Sequence, residues 1–250
     1  MRPTRLVLAA MLVVTCAADT AGAQTVDRLS PLQLSIACAP PASGDGTAPA
    51  AAPRIIGSQD VVPRSLFGDR DLLVLGGGTG AGVQLGQQFF VRRTIRFGAS
   101  PRGRGAKTLG WVRVVAVNES TAIATVDHAC SGMEADDYLE PFVAPELPAE
   151  AGRDEARGEP DFATLGHIVV GAEDRRMVGV GDFALIDWGQ AQGLAAGARF
   201  AIYRDVGVNG LPLAGIGEGV VIAAGPSTAL TRITRARDAV YTGDYIALRK

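Results

Sequence analysis

The sequence predicts an all-β protein made of two tandem small β-barrel-like domains, each about the size of an SH3 or OB domain, following a cleaved signal peptide. Its apolar runs are short, rich in β-branched residues and bounded by Gly, Pro, Asn or Asp, as is typical of strands. The chain also repeats itself once. Five or six short strands in each copy of roughly 80 residues fit a sheet that closes on itself to hide its edges.

Residues 1–23 have the layout of a secretory signal peptide. Arg2 and Arg5 precede the apolar run at 6–14, and the small residues at 21–23 suit a cleavage site before Gln24. We therefore expect a periplasmic or secreted protein that has no transmembrane span after cleavage.

Cys16 leaves a second interpretation of the same segment open. It ends the run at 13–16, which is similar to the cleavage box of bacterial lipoproteins, where the cysteine becomes the lipid-bearing N-terminus. Thr15 fits that box poorly, because a small residue normally precedes the cysteine. A lipoprotein anchored through Cys16 is therefore the alternative to a soluble exported chain.

Residues 24–52 are predicted to be an extended segment rich in Pro, Ala and Gly, with too few large apolar side chains to fold alone. In an oxidising compartment Cys38 tends to pair with Cys130, which would attach residues 32–37 to the first domain. Two buried, unpaired cysteines are the alternative, since spacing alone does not establish connectivity.

The internal repeat defines the two domains, which we place at 53–142 and 165–250. Residues 71–93 align without gaps with residues 182–204 at an offset of 111, and later matches follow at an offset of 107. The second copy has therefore lost four residues in a loop. Matched positions include Gly78 with Gly189, Gly82 with Gly193, Gly86 with Gly197, Phe89 with Phe200, Arg93 with Arg204, Asp137 with Asp244, and Tyr138 with Tyr245.

Strand patterns are clearest in the second domain, at 200–203, 219–222 and 229–234. Turn chemistry separates them at 208–211 and 225–227, because Gly and Asn tolerate positive φ and Pro presets φ near −65°. Between the domains, residues 143–164 are acidic and rich in Pro, Ala and Gly, which predicts a solvated linker.

Composition excludes two broad classes of protein. With 47% apolar and 20% charged residues, the chain is neither disordered nor of low complexity. Lys and Arg number 24 against 26 Asp and Glu, so the net charge of −2 creates no general attraction to nucleic acid.

We identify no catalytic, cofactor or metal site. The glycine-rich run at 76–82 favours a connection between strands over a phosphate-binding loop, because no helix pattern follows it and the repeat keeps only two of its glycines. His128 and His167 occupy non-equivalent positions, and zinc sites usually need three or four closely spaced ligands. The acidic cluster Glu134, Asp136, Asp137 and Glu140 lacks calcium-loop spacing, which favours a solvated turn.

A basic segment in the first domain is the candidate partner-binding site. From 92 to 113 the chain has no acidic residue, whereas the matching stretch of the second domain contains Asp205 and Glu218. Arginine forks in a loop suit an acidic protein, an anionic envelope polymer or lipid phosphates. The alternative is a merely solvated loop offset by the acidic linker. The candidate residues are Arg92, Arg93, Arg96, Arg102, Arg104 and Lys107.

The pattern Gly-x3-Gly-x2-Phe-x-[Val/Ile]-x-Arg occurs at 82–93 and again at 193–204. Each copy resembles the C-terminal β-domain of flagellar assembly protein T and the similar β-region that follows LysM modules in bacterial envelope proteins. The resemblance implies a non-catalytic periplasmic assembly module, and it transfers no functional residue because the matching positions are structural.

Together these features predict an exported, non-catalytic cell-envelope module that binds an envelope protein or a cell-wall polymer and requires no cofactor. Two alternatives stay open: a periplasmic hydrolase with an unrecognised inter-domain site, and a structural subunit of a surface assembly.

Overall fold

A computed structural model describes residues 29–42, 47–96, 105–149 and 158–249, which form fourteen strands and one short α-helix. The predicted all-β architecture with barrel-like domains is confirmed, because six strands close into a barrel and six others form a separate sheet. The predicted signal peptide at 1–23, Cys16 included, lies outside the described residues.

Domain 1 is a six-stranded antiparallel sheet in the order β1-β2-β5-β4-β3-β6. Its first and last strands approach each other, because Arg54 and Tyr138 form an antiparallel bridge and the Leu139 amide donates to the Pro53 carbonyl at 2.9 Å. The strands are β1 Ile55–Ser58, β2 Leu72–Leu75, β3 Gln88–Ile95, β4 Gly105–Val117, β5 Ala122–Ala129 and β6 Tyr138–Pro141.

Domain 2 repeats this order and closes it completely, since its last strand pairs with its first. The barrel order is β7-β9-β12-β11-β10-β14, and β8 and β13 form a separate two-stranded ribbon. The strands are β7 Pro160–Gly171, β8 Met177–Val178, β9 Phe183–Ile186, β10 Arg199–Arg204, β11 Ala214–Ala224, β12 Ala229–Ala236, β13 Val240–Tyr241 and β14 Tyr245–Arg249.

The repeat extends to small features of the backbone. The ribbon pair Val178–Val240 in domain 2 corresponds, at the same two offsets, to the isolated bridge Phe67–Met133 in domain 1. The four-residue difference lies in one hairpin: β3 and β4 stay paired out to Ile95 and Gly105, while β10 and β11 stop at Arg204 and Ala214. The hairpin of domain 1 is therefore longer than that of domain 2.

Each domain has its own core of alternating inward-facing side chains. The interior of domain 1 is filled mainly by Leu73, Leu75, Val91, Leu109, Val112, Val126 and Leu139. The interior of domain 2 is filled mainly by Ile168, Ile186, Phe200, Ile202, Val221, Ile233 and Ile246. The sheets thus fold by burying one face of each strand.

The predicted extended character of residues 24–52 is wrong for α1, Pro31–Cys38. Ser30 caps this helix: its hydroxyl accepts from the Gln33 amide at 3.3 Å, and the Gln33 side chain accepts from the Ser30 amide at 3.0 Å. Pro31 occupies the first helical position, where its missing N–H costs nothing. The predicted linker at 143–164 also ends early, because β7 begins at Pro160.

One arginine–aspartate pair recurs in both domains. It joins β3 to the turn before β6 in domain 1, and β10 to the turn before β14 in domain 2. Arg93 binds Asp137 through two hydrogen bonds of 2.7 and 2.8 Å, and Arg204 binds Asp244 through two of 2.8 and 2.7 Å. Asp137 and Asp244 are both buried. Hydrogen bonding to these carboxylates raises the pKa of Arg93 and of Arg204 above the usual arginine value.

Each buried carboxylate also organises its own turn. Asp137 accepts from the Glu134 amide at 2.7 Å, and Asp244 accepts from the Tyr241 amide at 2.8 Å. The arginine in turn donates to a carbonyl of the same turn, Ala239 in domain 2. The pair therefore satisfies backbone groups as well as opposite charges.

Glycine is required at two equivalent positions because the backbone of a neighbouring turn lies directly against them. A Cβ at Gly78 would collide with the carbonyl oxygen of Asn118, and a Cβ at Gly189 would collide with that of Gly225. These glycines thus let the connection after the second strand pack against the next turn.

We predict that Asp244→Ala lowers the free energy of unfolding by about 3 kcal/mol, because it leaves the Arg204 guanidinium and the Tyr241 amide without their buried acceptor. Asp238→Ala is the matched control: it removes a single 3.3 Å contact of the same arginine from an exposed carboxylate and should cost less than about 1 kcal/mol. Urea unfolding followed by circular dichroism measures both. Equal losses in the two variants would contradict a structural role of the buried pair.

Candidate functional site

The basic segment divides into residues held inside domain 1 and residues at the end of its long hairpin. Arg92 belongs to the first group, since only 7% of its surface is exposed. It binds Glu140 at 3.3 Å and Thr108, and its guanidinium lies 4.2 Å from the centre of the Phe90 ring. Burial lowers the pKa of Arg92, partly offset by the negative charge of Glu140.

Three residues of the acidic cluster, which the sequence predicts as a solvated turn, form ion pairs with Arg92 and Arg93. Glu134 and Asp137 bind Arg93, and Glu140 binds Arg92. Much of the positive charge between 92 and 113 is therefore neutralised within the domain. The repeat contains the signal for this role, because an arginine and an aspartate recur together at matching positions.

The outer members of the segment have a different environment. Arg96 follows β3 directly and is exposed, and Lys107 on β4 is half-buried. Arg102 and Arg104 lie outside the described residues. Contact with a partner through this hairpin end stays a prediction, and Arg96 is the exposed arginine of this end that the structure describes.

Helix α1 lies between the two domains and contacts both. Toward domain 1, Ala37 packs with Phe90 and Trp111. Toward domain 2, Ile36 packs with Phe183, and the other members of that apolar cluster are Leu32, Ala39, Ala42, Leu147, Ala172, Val220, Ile222 and Leu230. A helix too short to be stable in isolation is thus held by apolar burial on two sides.

Hydrogen bonds after the helix reinforce this arrangement. The Thr108 hydroxyl of domain 1 donates to the Ala39 carbonyl at 2.7 Å, and the Thr228 hydroxyl of domain 2 donates to the Ala42 carbonyl at 3.0 Å. Residues 39–42 are therefore tied to one domain at each end.

The predicted disulfide is present and covalently joins α1 to domain 1. Cys38 ends the helix and Cys130 follows β5, with their Cα atoms 5.5 Å apart and a sequence separation of 92. The bond attaches α1 covalently to the sheet of domain 1. Such a cross-link suits a segment that has few apolar side chains of its own to bury.

A cleft of about 250 Å³ lies beside the disulfide, lined by α1, the end of β5 and the turns of domain 2 around β8. Its polar groups come from both domains and include His128, Glu173, Arg175 and Asp182. Arg175 and Asp182 form an ion pair at 3.3 Å. Glu173 adopts a φ of 59°, an uncommon conformation for a residue with a side chain.

His128 is the cleft residue with the most defined surroundings. Its ring stacks on Trp111, with ring centres 4.8 Å apart and planes at 27°. A ring nitrogen of His128 and the Sγ atoms of Cys38 and Cys130 all lie within 4.8 Å of one another. The sequence-based prediction of the Cys38–Cys130 pair did not include His128, although His128 lies two residues before Cys130.

His167 forms a separate pair in domain 2. Its Nδ1 lies 3.0 Å from Asp187, which also accepts from the His167 amide at 2.7 Å. The ring also contacts Tyr245 across the junction of β7 and β14. The pair links β7 to the end of β9 on the outside of the barrel.

The glycine-rich run forms the strand-to-strand connection that the sequence predicts. A three-residue 3₁₀ turn at Thr79–Ala81 follows β2, Gly82 has a φ of 79°, and β3 then begins at Gln88. A turn this short offers few free N–H groups to a phosphate. Within the described ranges, no helix has the length and apolarity needed to cross a membrane.

We predict that opening the disulfide lowers the free energy of unfolding by about 4 kcal/mol, because the unfolded chain regains the freedom of a long closed loop. The double variant Cys38→Ala with Cys130→Ala should show the same loss in urea unfolding. Reductant should destabilise the wild-type chain and leave the double variant unchanged. A wild-type midpoint that does not respond to reductant would contradict this role.

No model of a known protein family matches the chain, and no curated protein matches it. The internal repeat and the shared strand order of the two domains define its architecture. The resemblance to the β-domain of flagellar assembly protein T stays a prediction.

Proposed function

We propose that this chain is an exported cell-envelope module without catalytic activity, which binds an acidic envelope protein or an anionic cell-wall polymer through the end of the β3–β4 hairpin. The export signal layout at 1–23 and a disulfide suited to an oxidising compartment support the location.

The observation that carries the proposal is a difference between two equivalent hairpins. The domains share strand order, glycine positions and the buried arginine–aspartate pair, yet the hairpin ends diverge. In domain 1 the hairpin is longer, and its end carries Arg96, Arg102 and Arg104. In domain 2 the corresponding loop at 205–213 has no basic residue.

A difference confined to a loop on a shared scaffold points to function rather than architecture. Arginine forks recognise carboxylates and phosphates with two parallel hydrogen bonds, so an acidic partner fits this chemistry. Exposed positive charge acts mainly on the rate of association, which makes salt-sensitive binding the expected behaviour.

We predict that the triple variant Arg96→Glu, Arg102→Glu and Arg104→Glu reduces capture of the partner at low salt by at least about tenfold. Arg92 and Arg93 are excluded from this test because reversing buried or paired arginines would damage domain 1 itself. Co-sedimentation with isolated cell walls and a crosslinked pull-down from envelope extract measure capture, and circular dichroism checks the fold.

The matched control has the same change in net charge at exposed arginines elsewhere: Arg70→Glu, Arg176→Glu and Arg237→Glu. It should retain capture. Equal losses in both triple variants would mean that only net charge matters, and unchanged capture in the hairpin variant would contradict the proposal. Concentration-dependent self-association without other capture would instead favour a structural subunit of a surface assembly.

A periplasmic hydrolase is the second candidate, and one observation favours it: the cleft brings polar groups from both domains together around His128. Turnover of ester, peptide or glycan substrates that His128→Ala abolishes and His167→Ala retains would support it. A chain inactive toward all three classes leaves the binding module as the better explanation.

A further inference from the structure

We infer that Cys38, His128 and Cys130 form a zinc site when the disulfide is open. The inference does not depend on the proposed binding function, because it rests on three side chains beside the cleft and not on the hairpin. Two thiolates and an imidazole are a ligand set that Zn²⁺ accepts in a tetrahedral site.

The geometry brings the three donors together from two parts of the chain. A ring nitrogen of His128 and the two Sγ atoms lie within 4.8 Å of one another. Zn–N and Zn–S bonds of about 2.0–2.3 Å place tetrahedral ligand atoms roughly 3.3–3.8 Å apart. Loss of the S–S bond lets the sulfurs separate to that spacing, and the imidazole nitrogen already lies within 4.8 Å of both sulfurs.

The supporting structure holds these donors in place without help from the disulfide. Trp111 is fully buried, stacks on the His128 ring and restricts its orientation. Cys38 is carried by α1, whose buried Ile36 and Ala37 pack against domain 2 and domain 1. All three donor residues line the cleft, so water can supply a fourth ligand.

The disulfide and the metal use the same sulfur atoms, so they exclude each other. A dithiol reductant supplies two electrons and two protons to the disulfide, gives two thiols and itself becomes a disulfide. Binding of Zn²⁺ then displaces the two thiol protons and forms two Zn–thiolate bonds, so binding weakens as the pH falls. In a newly made chain the thiols are already reduced and no reductant is needed.

The consequence is that α1 has a cross-link to domain 1 in both redox states. A sulfur–zinc–sulfur bridge joins Cys38 and Cys130, the same two residues that the disulfide joins. Zinc therefore adds a cross-link to the apolar docking of the helix until oxidation replaces the metal with the covalent bond.

The test uses the complete chain reduced with a water-soluble phosphine, which contributes no thiol of its own. Titration with Co²⁺ should show one equivalent bound, with a thiolate-to-cobalt charge-transfer band that Zn²⁺ removes. The oxidised chain should show neither. In urea unfolding, Zn²⁺ should raise the midpoint of the reduced chain and leave that of the oxidised chain unchanged.

His128→Ala should weaken Co²⁺ binding by at least about tenfold, because loss of even an outer-shell partner typically costs about 10–100-fold in metal affinity. His167→Ala is the matched control and should bind as the wild type does. The oxidised His128→Ala chain retains both cysteines, so its circular dichroism reports whether the fold survives. Absence of stoichiometric binding by the reduced chain, or equal affinity in His128→Ala, would overturn the inference.

Discussion

The burial of one short helix between two β-domains is the interaction on which the arrangement of the whole molecule depends. Neighbouring residues on a helix point in directions about 100° apart, so Ile36 can face domain 2 while Ala37 faces domain 1. Neither domain alone would keep eight residues helical, because nucleation is costly and the helix has few internal hydrogen bonds. The disulfide from Cys38 to Cys130 adds a covalent attachment at the end of this helix.

The same docking creates the cleft. Its walls come from α1, from the end of β5 in domain 1 and from turns of domain 2, so it exists only because the helix holds these parts adjacent. His128 is positioned by its stacking on Trp111, and the disulfide lies beside it. The disulfide, the docked helix and the cleft therefore meet at one residue, Cys38.

Inside each domain a different constraint operates. The arginine–aspartate pair fixes β3 or β10 against the turn that precedes the last strand of its domain. In domain 2 this turn leads into β14, which pairs with the first strand, β7. The same pair contacts recur in both domains, which gives a structural reason why Arg204 and Asp244 stand at the positions that match Arg93 and Asp137. Beyond these arginines the two hairpins differ in paired length and in charge.

The all-β class, the two copies and the loss of four residues in one loop were predictable from local patterns, because these patterns encode turns and alternating strands. The sequence also allowed the disulfide to be predicted, from compartment and cysteine count. The helix was missed although Ser30, Pro31 and Gln33 form a local capping signal, because the Pro- and Ala-rich composition around them favoured extended chain.

Two features depend on the tertiary structure: which arginines of the basic segment form ion pairs within domain 1, and which distant side chains come into contact. Arg92 and Arg93 belong to one basic run in sequence, yet strand pairing places Glu140 and Asp137 beside them and uses their charges internally. Cys38 meets His128 because α1 packs against β3 and β4, where Ala37 contacts Phe90 and Trp111. Local patterns encode turns and strands, whereas such encounters depend on apolar burial between distant segments, which no short stretch of sequence specifies.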